Sequence, residues 1–248
     1  MSEIIFGINP ITETLVAGKR TINKILVAKN THERRMLNIV RLAREARIPV
    51  IYTDKRKLEK FAPGMKHQGV VATVSPVQYA SVEEIITLAA KKGKSSFICL
   101  LDGITDPHNL GAIIRSAEVL GAGGVVITKH HSCPITGIVE KASAGALEHI
   151  PVARVHNMVQ FMEELKKKEF WVIGADSEGE PSYKVDLSGP VAIVIGSEGK
   201  GLRPLVRKNC DNLVSIPMSG KVESLNASCA ASIIMYEISR QMKGVDKQ

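Results

Sequence analysis

Short unbroken apolar runs alternate along most of this chain with stretches in which apolar residues recur every three or four positions. The runs at 97–101 (FICLL), 124–127, 170–174, 191–195 (VAIVI) and 213–216 have the length of buried strands. Between them, 109–120, 138–147 and 158–168 carry helical spacing, and a last helix is predicted over 225–242. Strand, loop and helix repeated in this order imply an α/β fold with a mostly parallel sheet covered on both faces. The first third is of similar kind. It predicts strands over 24–29, 50–52 and 69–74, a helix over 32–47, a helical turn over 55–61, and a helix opening at Asn9-Pro10 with Asn9 as its cap. Residues 75–81 (SPVQYAS) are polar and start no period, which marks a linker. The division expected is a small α/β domain over 1–78, a linker and connecting helix over 79–95, and a parallel-sheet domain over 96–248.

Charge sharpens that division. The 248 residues carry a net charge of +8, and residues 1–78, with 14 Lys and Arg against 6 Asp and Glu, hold all of the excess. The other 19 basic and 19 acidic residues balance. Arg34, Arg35, Arg41, Arg44 and Arg47 fall on the polar side of the helix predicted over 32–47, and Lys55, Arg56 and Lys57 open the next helical turn. Such asymmetry points to a polyanion-binding module joined to a neutral body, the plainer alternative being a solvated basic face.

Several function classes drop out. No apolar run approaches the roughly 18 residues of a membrane span, and the first residues do not read as a secretory signal. Cys99, Cys133, Cys210 and Cys229 are scattered without zinc spacing, so they are expected as reduced thiols of a cytoplasmic protein with no metal. Gly93-Lys94-Ser95 resembles the end of a phosphate-binding loop, but Leu88 stands where that motif requires its first glycine. No GxGxxG opens the first strand–helix unit, so a dinucleotide site is not supported.

The chemistry-bearing residues cluster late. The runs at 191–195 and 213–216 each empty into small and polar residues, 196–201 (GSEGKG) and 217–221 (PMSGK). Loops beyond the carboxyl ends of parallel strands are where open α/β sheets bind ligands, so the two predict one pocket. Glu198 reads either as a turn carboxylate or as a group that orients an arginine or accepts a ligand hydroxyl. Ser224 reads as a helix cap, whereas Asn226 is less easily explained. Asn109 reads as a cap that can still face the pocket. Arg115, in an apolar helix, either pairs with Glu118 or serves an interface or an anionic ligand.

Taken together, NLGAIIR over 109–115, IGSEG over 195–199, and IPM over 216–218 with SLNAS over 224–228 resemble the three motifs of the SpoU (TrmH-like) RNA 2′-O-ribose methyltransferases of the SPOUT superfamily. Phe6-Gly7 and His67-Gln68-Gly69 resemble the L30e-like substrate-binding domain carried by some members. The resemblance implies a trefoil knot in the parallel-sheet domain, a homodimer, and S-adenosylmethionine as cofactor. It implies backbone groups at Gly196, Ile216 and Leu225 holding that cofactor, with Ser224, Pro217 and Met218 beside it. Asn109, Arg115, Glu198 and Asn226 match the catalytic positions, and the basic residues of 34–57 would bind RNA phosphates. Among members the chain looks most like the bacterial 23S rRNA guanosine 2′-O-methyltransferase. A tRNA methyltransferase and a non-catalytic ribosome-assembly factor are the alternatives.

Overall fold

The computed structural model describes residues 2–29, 34–91, 97–222 and 224–245. Gly93-Lys94-Ser95 lies outside the described residues. The chain forms two compact units, one of Met1–Gln78 with Ile135–His149, the other of Tyr79–Pro134 with Ile150–Gln248.

The first unit is built on a four-stranded sheet in the order β1 (Glu3–Phe6), β4 (Val70–Val74), β2 (Ile22–Ala28), β3 (Val50–Thr53). Only β2 and β3 run parallel. Strand alternation sorts its residues to two faces. Ile25 and Val27 pack with Ile11 of α1 (Ile8–Ala17) and with Met36 and Ile39 of α2 (Arg34–Glu45). Leu26 and Ala28 pack instead with Leu58 of α3 (Lys55–Phe61). The sheet therefore separates α2 from α3. Asn9 does not cap α1, because the helix already begins at Ile8 after Gly7 at φ 95. A side chain at Gly7 would collide with Lys141. The Ile8 N–H is satisfied by Oε1 of Gln68 at 3.3 Å.

The stretch 135–149 lies far from residues 1–78 in sequence yet packs with them. Its single predicted helix is broken: α6 (Gly137–Ser143) ends where Ala144 (φ 53) and Gly145 (φ 98) turn left-handed, and a 3₁₀ turn follows at Ala146–Glu148. Two carboxylates of this stretch meet Arg20, whose side chain is 7% exposed. Arg20 donates to Glu140 at 2.8 Å, Glu148 at 3.4 Å, Glu3 at 3.2 Å and the Ser75 carbonyl at 2.8 Å. Thr14 Oγ1 also donates to Glu148, at 2.9 Å. One guanidinium thus serves three carboxylates. Burial pushes the Glu140 carboxyl up to about 7, and the Arg20 bond only partly opposes it.

The second unit carries six strands, all parallel, in the order β10 (Asn212–Ser215), β8 (Trp171–Pro181), β9 (Val191–Gly196), β5 (Phe97–Asp102), β6 (Gly124–Thr128), β7 (Val152–Val155). Their interiors are continuous apolar runs because both faces are covered. On one face Ile98, Leu100, Val126 and Val194 meet α4 (Val82–Lys91), α7 (Met158–Lys166) and Val206 of α8 (Pro204–Lys208). On the other lie α5 (Pro107–Val119) and α9 (Ala227–Val245), packed on each other. Ala80 bridges Ala153, which extends β7 before α4 begins. Side chains of β5 to β9 that bear charge concentrate at the carboxyl ends, and that is where the site lies. Among the described residues no helix is long and apolar enough to cross a membrane.

Candidate active site

The loop after β5 sets the first group. Asp102 ends that strand with a fully buried side chain, and its two oxygens accept from Arg203: the backbone N–H at 2.9 Å, Nε at 2.7 Å and Nη2 at 2.5 Å. This pair ties the start of α8 to β5. Four residues later Asp106, not Asn109, caps α5, accepting from the His108 and Asn109 N–H groups with Pro107 in the first turn. Asp106 takes the cap that the sequence reading gives to Asn109, because its side chain precedes Pro107. Asn109 is thereby released. Its side chain sits buried in the first turn of α5, facing the loop after β9.

That loop is pinched shut. Ser197 and Gly201 exchange backbone hydrogen bonds at 3.1 and 3.0 Å, and Gly199 and Gly201 adopt φ 73 and 61. A side chain at Gly196 would strike the Gly201 backbone, so only glycine lets the two ends of the turn touch. Glu198 projects from the tip. Its Oε1 accepts from Asn109 Nδ2 at 3.0 Å, Asn226 Nδ2 at 2.5 Å and the Ala227 N–H at 3.3 Å. Asn226 Nδ2 also donates to Asn109 Oδ1 at 2.9 Å. Three side chains separated by as much as 117 positions thus form one closed network.

Asn226, expected in the first turn of the last helix, instead caps it. Its Oδ1 accepts from the Ser228 and Cys229 N–H groups at 2.9 and 3.2 Å, while Ser224 lies three residues before the helix. Having its oxygen fixed by the cap and its amide by Glu198 and Asn109, Asn226 has one orientation. Arg115 is placed differently. It is exposed on α5 and makes no hydrogen bond or ion pair among the described residues, with neither Glu118 nor Glu198. It shares its side of α5 with Val119, one turn on.

Below Glu198 opens a cavity of about 510 Å³, within the range of small-molecule sites. Gly196, Ile216, Met218, Ser224 and Leu225 line it, whereas Pro217 does not. Met218 and Leu225 are substantially exposed. Asp176 and Ser177, in the middle of β8, also line the cavity and are not singled out by the sequence reading. The signal is present, since ADSEGE follows an apolar run as the other two loops do. Burial raises the Asp176 carboxyl, but the Arg207 side chain at 2.8 Å and the Glu178 N–H outweigh it and hold the pKa below the usual carboxylate range.

The eight basic residues expected to bind RNA phosphates, Arg34, Arg35, Arg41, Arg44, Arg47, Lys55, Arg56 and Lys57, are all exposed, but they do not form one patch. Those on α2 and those on α3 lie on opposite faces of the sheet. Arg41 is partly committed, donating to Glu45 at 2.7 Å and Asn38 at 3.0 Å. Gln68 works within the unit, accepting from Lys141 at 2.5 Å as well as from Ile8. Among the described residues no group of His, Cys, Asp or Glu is arranged to hold a metal ion, and the four cysteines are unpaired. Burial pushes the Cys99 and Cys210 thiols up to about 12, which makes them poor nucleophiles.

Comparison with known proteins places this geometry. The SpoU rRNA Methylase family profile matches residues 96–236, and the profile described as RNA 2′-O ribose methyltransferase substrate binding matches residues 4–80. YacO of Bacillus subtilis (strain 168), assigned by name to the TrmH family of tRNA/rRNA methyltransferases, is 41% identical over 244 residues, covering 98% of this chain and 97% of its own. A Staphylococcus haemolyticus relative with the same family name is 42% identical, covering 96% of this chain and 95% of its own. Among solved structures, the SpoU methyltransferase AviRb of Streptomyces viridochromogenes in complex with AdoMet superposes with a TM-score of 0.80 at 27% identity, over 98% of this chain and 91% of AviRb.

Proposed function

The chain belongs to the SpoU rRNA methylase family, and we propose that it methylates a ribose 2′-OH of RNA with S-adenosylmethionine as donor, a guanosine of 23S rRNA being the favoured target. The observation that carries this reading is the closed Asn109–Glu198–Asn226 network standing over the cavity. The cavity residues fit such a donor. Gly196 lines the cavity, Met218 and Leu225 offer apolar surface to a purine, and Ser224 lines it with them. When bound, the cofactor would supply a sulfonium methyl for transfer to the ribose oxygen, leaving a neutral thioether.

The chain's own task is then to place the hydroxyl in line and to accommodate its proton. Positioning alone can supply up to roughly 7–11 kcal/mol in favourable reactions. Asn109 and Asn226 are held by Glu198 in fixed orientations, which suits them to ribose and donor. Arg115 supplies positive charge to the target phosphate and to the oxyanion that develops at O2′. A guanidinium keeps its proton in proteins, so the proton leaves through phosphate or water.

Arg115 lies away from the network within one chain, and a homodimer supplies the reason. Val119 (70% exposed) shares its side of α5, and Ile233 (43%) and Tyr236 (59%) stand one turn apart on the neighbouring helix α9. This exposed apolar face suits a second copy, whose Arg115 would approach from across the interface. The trefoil knot belongs to the same reading. It is supported by the order of strands, in which β10 lies beyond β8 while α9 returns to pack on β9 and α5. A cytoplasmic location follows from an RNA substrate.

The test is to incubate the purified chain with methyl-labelled S-adenosylmethionine and total bacterial RNA, and to map 2′-O-methylation by nucleotide. A labelled guanosine in 23S rRNA is expected. Label confined to tRNA would keep the chemistry and replace the substrate, and no transfer to any RNA would sink the assignment.

A further inference from the structure

Residues 79–248 balance in overall charge, yet the surface of the second unit does not. Lys129, His130 and His131 follow β6, and Arg154 and His156 close β7; all five are exposed. Among the described residues none of them pairs with a carboxylate. They meet one another instead: Lys129 Nζ lies 3.4 Å from His156 Nε2, and the His130 and His156 rings are 6.3 Å apart, tilted by 58°. Arg154 donates to the Lys129 carbonyl at 3.0 Å and lays its guanidinium over the Tyr79 ring, 5.0 Å from the centroid. Flat cationic and aromatic groups with no local counter-charge suit a polyanion that carries bases, because phosphates take the charge and bases stack on rings and guanidinium planes.

The patch is also joined to the proposed site. β9, β5, β6 and β7 are consecutive in the sheet, so its loops follow those of Glu198 and Asn109 along one edge. The link is direct. Beside Gly103, where β5 ends, a side chain would meet Ser197 at 3.7 Å and the His131 carbonyl at 3.9 Å. His131 holds φ 61, an uncommon conformation for a side-chain-bearing residue, and Thr128 fixes the loop by donating to the His130 carbonyl at 2.7 Å. From β5 to β7 is two strand spacings, about 10 Å, a reach that nucleotides flanking the target would span.

We propose that Lys129, Arg154 and the three histidines, with Tyr79, form a second RNA-docking surface on the methylase unit itself, which holds the strand beside the target ribose. This inference rests on the RNA methyltransferase reading above. The surface positions the substrate and takes no part in the transfer of the methyl group.

The experiment uses the full chain and an RNA that the wild type methylates. In Lys129→Ala/Arg154→Ala the KM for RNA rises roughly tenfold. The log–log dependence of RNA affinity on salt becomes shallower by about 1.4, at ~0.7 for each single-strand phosphate that the protein no longer neutralises. The affinity for S-adenosylmethionine and the turnover at saturating RNA stay at the wild-type level. Because Arg154 also holds the Lys129 carbonyl, Lys129→Ala/His156→Ala is measured beside it and is expected to shift the KM in the same direction. Wild-type RNA affinity and salt slope in both variants of an active enzyme would overturn this surface while leaving the function intact. A wild type that methylates no RNA would overturn both.

Discussion

The two units use buried and fixed polar groups for opposite ends. In the first, the polar chemistry is internal: Arg20, Glu3, Glu140, Glu148 and Thr14 tie a distant piece of chain into the unit. In the second, the sheet interior is apolar and the polar groups stand at the carboxyl ends of the strands, where Asn109, Glu198 and Asn226 converge. A charge in an interior is stabilising only while every partner is present, so the first arrangement is a structural commitment. A charge at a strand end remains open to a ligand. The same types of residue thus hold one unit together and equip the other.

Removing a group from each side separates the two roles. Arg20→Ala leaves three carboxylates facing one another without a cation and is expected to cost the first unit about 3–5 kcal/mol. Chemical denaturation should show that loss while calorimetric affinity for S-adenosylmethionine is spared; equal loss of both would erase the contrast. Arg115→Ala should do the reverse. Methyl transfer at saturating cofactor is expected to fall about 10²–10³-fold, or ~3–4 kcal/mol of transition-state stabilisation, with the melting temperature unchanged. Near-native transfer would remove Arg115 from the chemistry.

The smallest expected effect comes from pH. Glu140 titrates near 7 in the folded unit against 4.5 for an exposed carboxyl. On acidification the folded state takes up this proton before the unfolded chain does. The contribution is therefore fully present below about pH 4.5 and lost as pH rises through 7, a change of up to about 3 kcal/mol. Stability of the first unit should rise between pH 8 and pH 5 in the wild type, and Glu140→Gln should flatten that rise. An unchanged slope in the variant would assign the effect to other groups.

Much of the second unit is legible in the sequence because apolar runs and helical spacing are local signals. The predicted strands at 97–101, 124–127 and 191–195 lie within β5, β6 and β9. The strand expected over 170–174 is too short, since β8 continues through polar residues to Pro181. Capping departs from expectation three times for one reason. Asn9, Asn109 and Ser224 all have the chemistry of a cap, but the choice among neighbouring candidates depends on backbone geometry at Gly7, Asp106 and Asn226. The approach of Asn109 to Glu198 and Asn226 carries no periodic signature and enters through motif resemblance. The sequence does not single out Arg20, and only tertiary packing distinguishes it from Arg34. The same limit hides the division of the basic residues between α2 and α3, which requires knowing which face of a sheet each helix covers.

The bond between Thr14 and Glu148 joins residues 134 positions apart, and this has a consequence for biosynthesis. The strands of the first unit are complete once residue 74 has been made, but its polar interior is not. Arg20 waits for Glu140 and Glu148 while α4, β5, α5 and β6 of the other unit are translated. At about 5–20 residues per second, that interval lasts several seconds. The N-terminal unit emerges first but is complete only once His149 has been made, so translation must deliver the start of the second unit before the first can close.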